Sequence, residues 1–358
     1  METLRGSNSY NKETNWGELV MIRFGLCCIF TGENIKFRHL TALSLRKYDR
    51  AKQLPIISGI CLHNSESLLS ALETVQRLGI GAFRINSQLF PLYTHPEVGY
   101  KLEDLPDSLK IKGLFKKTRM FRDKNNIRLS FHPDQFIILA SPNEKVVMNS
   151  VEELEYHAKV AGMCGADVIN IHVGGTYGNK AETLKRFAEN FRKLTQPVAK
   201  LITLENDDKQ YTPSDLLPFC RENKIPMVYD VHHHRCNPDD LTIGEATNET
   251  LKLWKDLGRE AYFHISSPKH GWGSKNPSPH ADYIDPADFP ECWRNLNATI
   301  DVEAKAKELA VLKLMMAFAH SPSKNHDSPQ SDRVSGGGTQ IKSQFSHKTA
   351  QDSQKNKF

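Results

Sequence analysis

The chain has 358 residues, of which 39% are hydrophobic and 25% charged, and its formal net charge is +5. That balance excludes a wholly disordered or fibrous chain, and the length allows one large domain or two. The basic excess is too small to argue nucleic-acid binding from net charge, because the last 40 residues alone carry six Lys/Arg against three Asp/Glu.

Seven cysteines include no C-x-x-C pair, so they give neither a zinc ribbon nor a disulfide framework. Cys27 and Cys28 sit side by side in an apolar run and read as core packing in a reducing compartment. No stretch approaches the roughly 18 apolar residues of a membrane span, and the N-terminus lacks the apolar core of a signal peptide. A soluble, cytoplasmic protein is expected.

Residues 1–19 are polar and without periodicity, and are expected to be a disordered extension; Met21 is an alternative start. The first strand pattern spans 20–28. Apolar residues at helical spacing over 65–78 (Leu68, Leu72, Val75) stop at Gly79, a natural C-cap. A second strand follows at 80–86, a helix at 108–125, and a third strand at 127–132. The helix predicted over 145–164 ends at Gly165 and leads to a fourth strand at 167–173. Helix 180–194 precedes strand 201–205, and helix 214–222, opened by Pro213, precedes strand 226–230. Helix 244–257 precedes strand 261–265, a weak helix near 287–295 precedes strand 299–303, and helix 305–318 closes the pattern. From residue 321 to 358 the chain is Ser/Gln/Lys/Asn-rich, cannot offset its ordering entropy, and is expected to be a disordered tail.

Eight strands alternating with helices argue a parallel sheet, and at this count and length a single (β/α)8 TIM barrel over residues 20–320. The competitor, an open doubly wound sheet, normally carries a Gly-rich phosphate turn after its first strand, and Gly25-Leu26-Cys27-Cys28 is not one.

Six of the eight strands finish on a side chain able to bind metal: His132, His172, Glu205, Asp230, His264 and Glu303. In a barrel these ends share one mouth, where such residues read as catalytic. Carboxylates crowded together are costly unless cations offset them. Imidazole and carboxylate without thiolate suit manganese, zinc or iron, and six ligands exceed the needs of one tetrahedral ion, so a cluster sharing a bridging carboxylate is expected. Such clusters serve both phosphodiester hydrolysis and sugar isomerisation. In Asp230-Val231-His232-His233-His234, alternation along an extended strand puts His232, not His233, on the face of Asp230.

The chain resembles the UV-damage endonucleases, relatives of endonuclease IV, from about residue 22 to 317. The resembling stretches are Phe83-Arg84-Ile85, His132-Pro133-Asp134-Gln135-Phe136, His172-Val173-Gly174-Gly175, Tyr177-Gly178-Asn179-Lys180, Leu204-Glu205-Asn206-Asp207, Asp230-Val231-His232-His233-His234, His264-Ile265-Ser266-Ser267-Pro268-Lys269 and Val302-Glu303-Ala304-Lys305. The resemblance implies a cluster of two or three divalent ions at the mouth of the barrel, with manganese expected and zinc or magnesium as alternatives. It also implies ATP-independent nicking on the 5′ side of a lesion in double-stranded DNA damaged by ultraviolet light. It implies the ligands His132, His172, Glu205 (bridging), Asp230, His233, His264, His280 and Glu303, thereby selecting His233 over His232. Glu205, Glu303 and His264 are expected to carry the catalysis. A monomer with no obligatory protein partner, not membrane-bound and nucleoid-associated when on DNA, is expected.

Three positions depart from the family. Leu26 stands where a lesion-probing tyrosine is usual, Phe136 replaces a second tyrosine after Gln135, and Tyr262 replaces a lysine modified in some relatives. Gln135 and Phe136 are expected to wedge into damaged DNA, whose unstacking cost is already lowered, with Leu26 as the third probing position. The bland reading of Phe136 is that it packs in the core at the head of the run to Leu139. Lys180, Lys269 and Lys305 are candidate phosphate contacts. The competing readings are a metal-dependent sugar isomerase or epimerase on the same barrel, and a non-catalytic sensor of DNA damage.

Overall fold

The computed structural model describes residues 22–319. Both the extension 1–19 and the tail 321–358 lie outside the described residues. Eight strands, β1 (Arg23–Cys27), β2 (Ala82–Ile85), β3 (Arg128–Phe131), β4 (Val168–Ile171), β5 (Ile202–Glu205), β6 (Met227–Asp230), β7 (Ala261–Ile265) and β8 (Ala298–Val302), pair in parallel and in sequence order. β8 then pairs with β1, Gly25 opposite Asp301 and Leu26 opposite Val302, so the sheet closes on itself. The fold is a (β/α)8 barrel, not an open doubly wound sheet.

The helices are α1 (Ala42–Leu45), α2 (Arg50–Arg77), α3 (Ser108–Lys124), α4 (Glu144–Cys164), α5 (Lys180–Phe191), α6 (Gln196–Ala199), α7 (Pro213–Asn223), α8 (Val231–Cys236), α9 (Ile243–Asp256) and α10 (Glu308–Ala319). Several starts follow simple capping chemistry. Asp49 accepts a hydrogen bond from the Lys52 amide at the head of α2, and Thr212 and Glu245 take part in reciprocal capping boxes that open α7 and α9.

Two of the predicted helices differ markedly from the sequence reading, which also gave no helix at α1, α6 or α8. α2 begins 15 residues before the predicted 65–78, because its inward face there buries Gln53, Ser58 and Asn64, polar residues invisible to an apolar count, and accommodates Pro55 near its start. The helix expected over 287–295 is instead two single 3₁₀ turns, Pro286–Asp288 and Glu291–Trp293, separated by Pro290. A proline there disfavours helical backbone just before it and cannot donate to the preceding turn.

Outward-facing strand residues such as Leu26, Phe83, Leu129, Phe131, Ile169 and Phe263 are fully buried against the helices. The barrel interior, by contrast, is polar. Arg84 reaches across to Asp301, Asp301 accepts from the Tyr262 hydroxyl, and Tyr262 pairs with Ser130. Arg128 donates to Thr299, and Thr203 to Asn170. This layer supports the mouth above it, and it needs Gly25: a Cβ at that position would collide with the Asp301 carboxylate.

Candidate metal centre

Glu205, the last residue of β5 and 1% exposed, is the hub of the mouth. Its Oε2 lies 3.0 Å from His132 Nε2 and 3.7 Å from His172 Nε2, and its Oε1 lies 3.0 Å from His264 Nδ1 and 3.2 Å from His233 Nδ1. Asn170, itself held by Thr203, donates to Oε2 from below. His132 and His172 immediately follow β3 and β4, and His264 lies within β7, so the strands aim all three at one point. Asp230 ends β6 fully buried, and its backbone exchanges two hydrogen bonds with the Asn206 side chain.

Beyond Asp230 the chain stops being extended. The Asp230 carboxylate caps α8 by accepting from the His233 amide, and the helical turn swings His233 to within 3.7 Å of Asp230 Oδ2 and onto Glu205. The alternation argument for His232 fails because alternation ends with the strand. His232 is buried one position away, paired with the Ser278 carbonyl. His280 arrives from the long loop after β7, which is pinned by a short antiparallel bridge between Pro268 and His280, and its Nδ1 lies 3.7 Å from Glu303 Oε2.

Arg84, to which the sequence reading gave no role, holds the far side. Its Nη1 donates to Glu303 at 2.6 Å, its Nη2 to His264 Nε2 at 2.8 Å, and its Nε to Asp301 at 2.9 Å. One guanidinium thus fixes the tautomer and tilt of His264, leaving its Nδ1 for Glu205. An arginine inside a β-strand, in Phe83-Arg84-Ile85, was the available signal: such a charge is kept in a barrel interior only by partners there. Burial alone would raise the Glu303 carboxyl, but the adjacent Arg84 and His264 outweigh it and hold Glu303 below its ordinary range. The same opposition operates at Glu205, where burial is outweighed by His264, His172 and the hydrogen bonds from His132 and His233. Burial pushes His172 toward its neutral form against the pull of Glu205, whereas Asp230 and Glu205 overcome burial to raise His233.

Two groups, His132 with His172 and Glu205, and Glu205 with Asp230 and His264, each keep their ligand atoms within 4.8 Å of one another. Glu205 is common to both. Asp230 Oδ2, His132 Nδ1 and His172 Nδ1 are buried without a hydrogen-bond partner among the described residues. A nitrogen and oxygen donor set, with a buried carboxylate oxygen left over, fits divalent cations.

The predicted DNA-facing residues divide. Phe136 is 76% exposed while its neighbours Ile137 and Leu139 are buried, so the core reading of Phe136 fails and a free aromatic ring stands at the mouth beside exposed Gln135. Gln135 also lines a cleft of about 360 Å³ with His172, Gly174, Asp207 and His233. Leu26, in contrast, is 0% exposed and packs outward against the helices, so it cannot touch DNA. Tyr262 is buried below the site and hydrogen-bonded to Asp301. Lys269 and Lys305 are exposed near the mouth, whereas Lys180 is paired with Asp215 at 2.7 Å.

Residues 22–329 match the family model described as UV-endonuclease UvdE. A UV DNA damage endonuclease of Bacillus mycoides (strain KBAB4) is 34% identical over 307 residues, covering 83% of this chain and 94% of that protein. One from Bacillus velezensis is 33% identical over 312 residues, covering 83% and 93%. Among solved structures, SacUVDE aligns with a TM-score of 0.73 at 29% identity, covering 84% of this chain and 98% of its own. Endonuclease IV of Thermus thermophilus, at 13% identity and a TM-score of 0.51, covers 83% and 98% and shares the fold.

Proposed function

Because the chain belongs to the UV-endonuclease UvdE family, we propose that it cuts the backbone of double-stranded DNA on the 5′ side of lesions made by ultraviolet light, using divalent ions held by the cluster around Glu205. The protein is a DNA-repair endonuclease on a TIM barrel. The observation that carries the finer reading is the sharing of one buried carboxylate, Glu205, by two groups of nitrogen and oxygen donors.

His132 and His172 with Glu205 would hold one ion; Asp230 and His264 with Glu205 would hold a second, with Glu303 at its edge and His233 and His280 beside it. Bound divalent ions supply positive charge to the phosphoryl oxygens and lower the pKa of water toward about 7. Arg84 keeps Glu303 and His264 in place, and Asn170 keeps Glu205 in place. Manganese is the expected metal, zinc and magnesium the alternatives. Gln135 and Phe136 would enter the gap left by a damaged base step, and Lys269 and Lys305 would meet phosphates. Lys180, already neutralised by Asp215, is the weakest of the three lysines as a phosphate contact. No helix among the described residues is long and apolar enough to cross a membrane. The protein would act as a monomer, in the cytoplasm with the DNA. The isomerase alternative has no observation in its favour.

A duplex carrying one photoproduct and an end label tests this reading. The expected result is a single cut immediately 5′ of the lesion, dependent on added divalent metal and independent of ATP. Cutting on the 3′ side, or equal cutting of undamaged duplex, would overturn it.

A further inference from the structure

Phe136 stands on the loop after β3, and β7 lies four strands away in a closed ring of eight, on the opposite side of the mouth. The long loop after β7 carries an exposed indole, Trp272. It is 39% exposed, whereas Trp254 and Trp293 are fully buried. Its indole N–H is turned inward and donates to Asp288 Oδ1 at 2.7 Å. The Arg235 guanidinium lies 5.6 Å from its ring, and Arg235 is itself fixed to the Asp288 carbonyl at 2.8 Å. The His232 ring, 5.2 Å from that of Trp272, is also 5.2 Å from that of His280, which faces Glu303.

The indole is therefore anchored along its polar edge, a single imidazole away from the candidate metal centre, and the residue keeps 39% of its surface in solvent. A tryptophan kept only for packing would bury that surface, since aromatic rings contribute mainly through the area they hide. The loop around it is basic and exposed at Lys269 and Lys275, as a surface meeting phosphates should be. At the first-strand position, by contrast, Leu26 is buried and presents no side chain to the mouth.

We propose that Trp272 reads the damage: its indole stacks on a base exposed at the lesion, on the rim opposite Phe136, so that an aromatic ring engages the DNA from each side of the mouth. This rests on the reading of the chain as a lesion-directed endonuclease. Stacking on an aromatic ring is insensitive to base identity, which suits an enzyme that recognises exposure rather than sequence. The anchored geometry also means that little side-chain freedom is lost on binding.

The test uses the full chain, a duplex with one photoproduct and the same duplex undamaged, with affinity and tryptophan emission measured in the presence of a chelator so that no cutting occurs. The damaged duplex is expected to quench the emission of the wild-type protein and not that of Trp272→Phe. Trp272→Phe, which keeps an aromatic face, should bind within about threefold of wild type, and Trp272→Leu, which fills space without one, should lose roughly tenfold or more on the damaged duplex and little on the undamaged one. Equal quenching of wild type and Trp272→Phe would overturn the proposal, as would undiminished binding by Trp272→Leu or an equal loss on both duplexes. If instead the wild-type protein with metal does not cut the damaged duplex, it is the endonuclease reading that fails.

Discussion

Glu205 lies within 3.7 Å of imidazole nitrogens from three strand ends and one helix, and no other group among the described residues is shared by both halves of the cluster. Glu205→Gln keeps the shape but removes the shared negative charge, so bound metal should fall and nicking of irradiated DNA should drop by at least about 100-fold with the fold retained. Normal nicking by that variant would contradict the role of Glu205 as the bridge. Phe136→Ala should behave differently, because it removes the proposed wedge and leaves the candidate donors untouched. It should weaken cutting of mildly distorting lesions by roughly tenfold and of strongly distorting ones less, since the latter are already partly unstacked. Kinetics on single-lesion duplexes at fixed salt check this. Away from the mouth, His157 on α4 is buried against Phe131 with its Nδ1–H donating to the Glu153 carbonyl, and burial pushes its pKa from 6.5 down to about 4. The unfolded chain therefore takes up this proton first as pH falls, and stability is lost between about pH 6.5 and 4 by up to roughly 3 kcal/mol. His157→Gln should flatten that part of the profile, as read from urea midpoints at pH 6.5 and 4.5; an unchanged slope would exclude His157 as its source.

Among the elements, β1 carries the tightest steric constraint. Gly25→Ala would push a methyl group into the Asp301 carboxylate, disturbing Arg84 and Tyr262 with it, and should cost about 1–3 kcal/mol in unfolding free energy. Leu26→Tyr is expected to destabilise by a similar amount and to add no contact with DNA, because the side chain at 26 points into the helix layer. Thermal unfolding with parallel nicking assays checks both variants. All eight strands were legible in the sequence, because each is a short apolar run ended by a turn signal or a polar strand-end residue. What escaped was short or polar. The first half of α2 buries Ser58 and Asn64 instead of a hydrophobic stripe, and α8 is a six-residue helix whose start depends on Asp230 acting as its cap. Missing α8 is what made His232 look like the better neighbour of Asp230.

For the molecule as a whole, the convergence of the candidate ligands was legible because six strand ends carried side chains able to bind metal. Its supporting layer was not, because Arg84, Asp301, Tyr262 and Asn170 become neighbours only when the sheet closes. The tail 321–358 lies outside the described residues, and its sequence is poor in apolar side chains. A chain ending at His320 should nick irradiated plasmid as the full chain does, and a large loss of turnover at low salt would show that the tail contributes to binding or folding. The central claim is that the Glu205 cluster holds divalent ions and that these make the barrel a lesion-directed nuclease. The most direct measurement strips the purified protein of metal, restores manganese stepwise, and follows nicking of irradiated and unirradiated supercoiled plasmid beside bound metal per chain. Nicking should be absent in the stripped protein, return in step with occupancy to at least two ions per chain, and be confined to irradiated DNA. Full nicking by the stripped protein, or nicking that saturates with a single bound ion, would contradict the account.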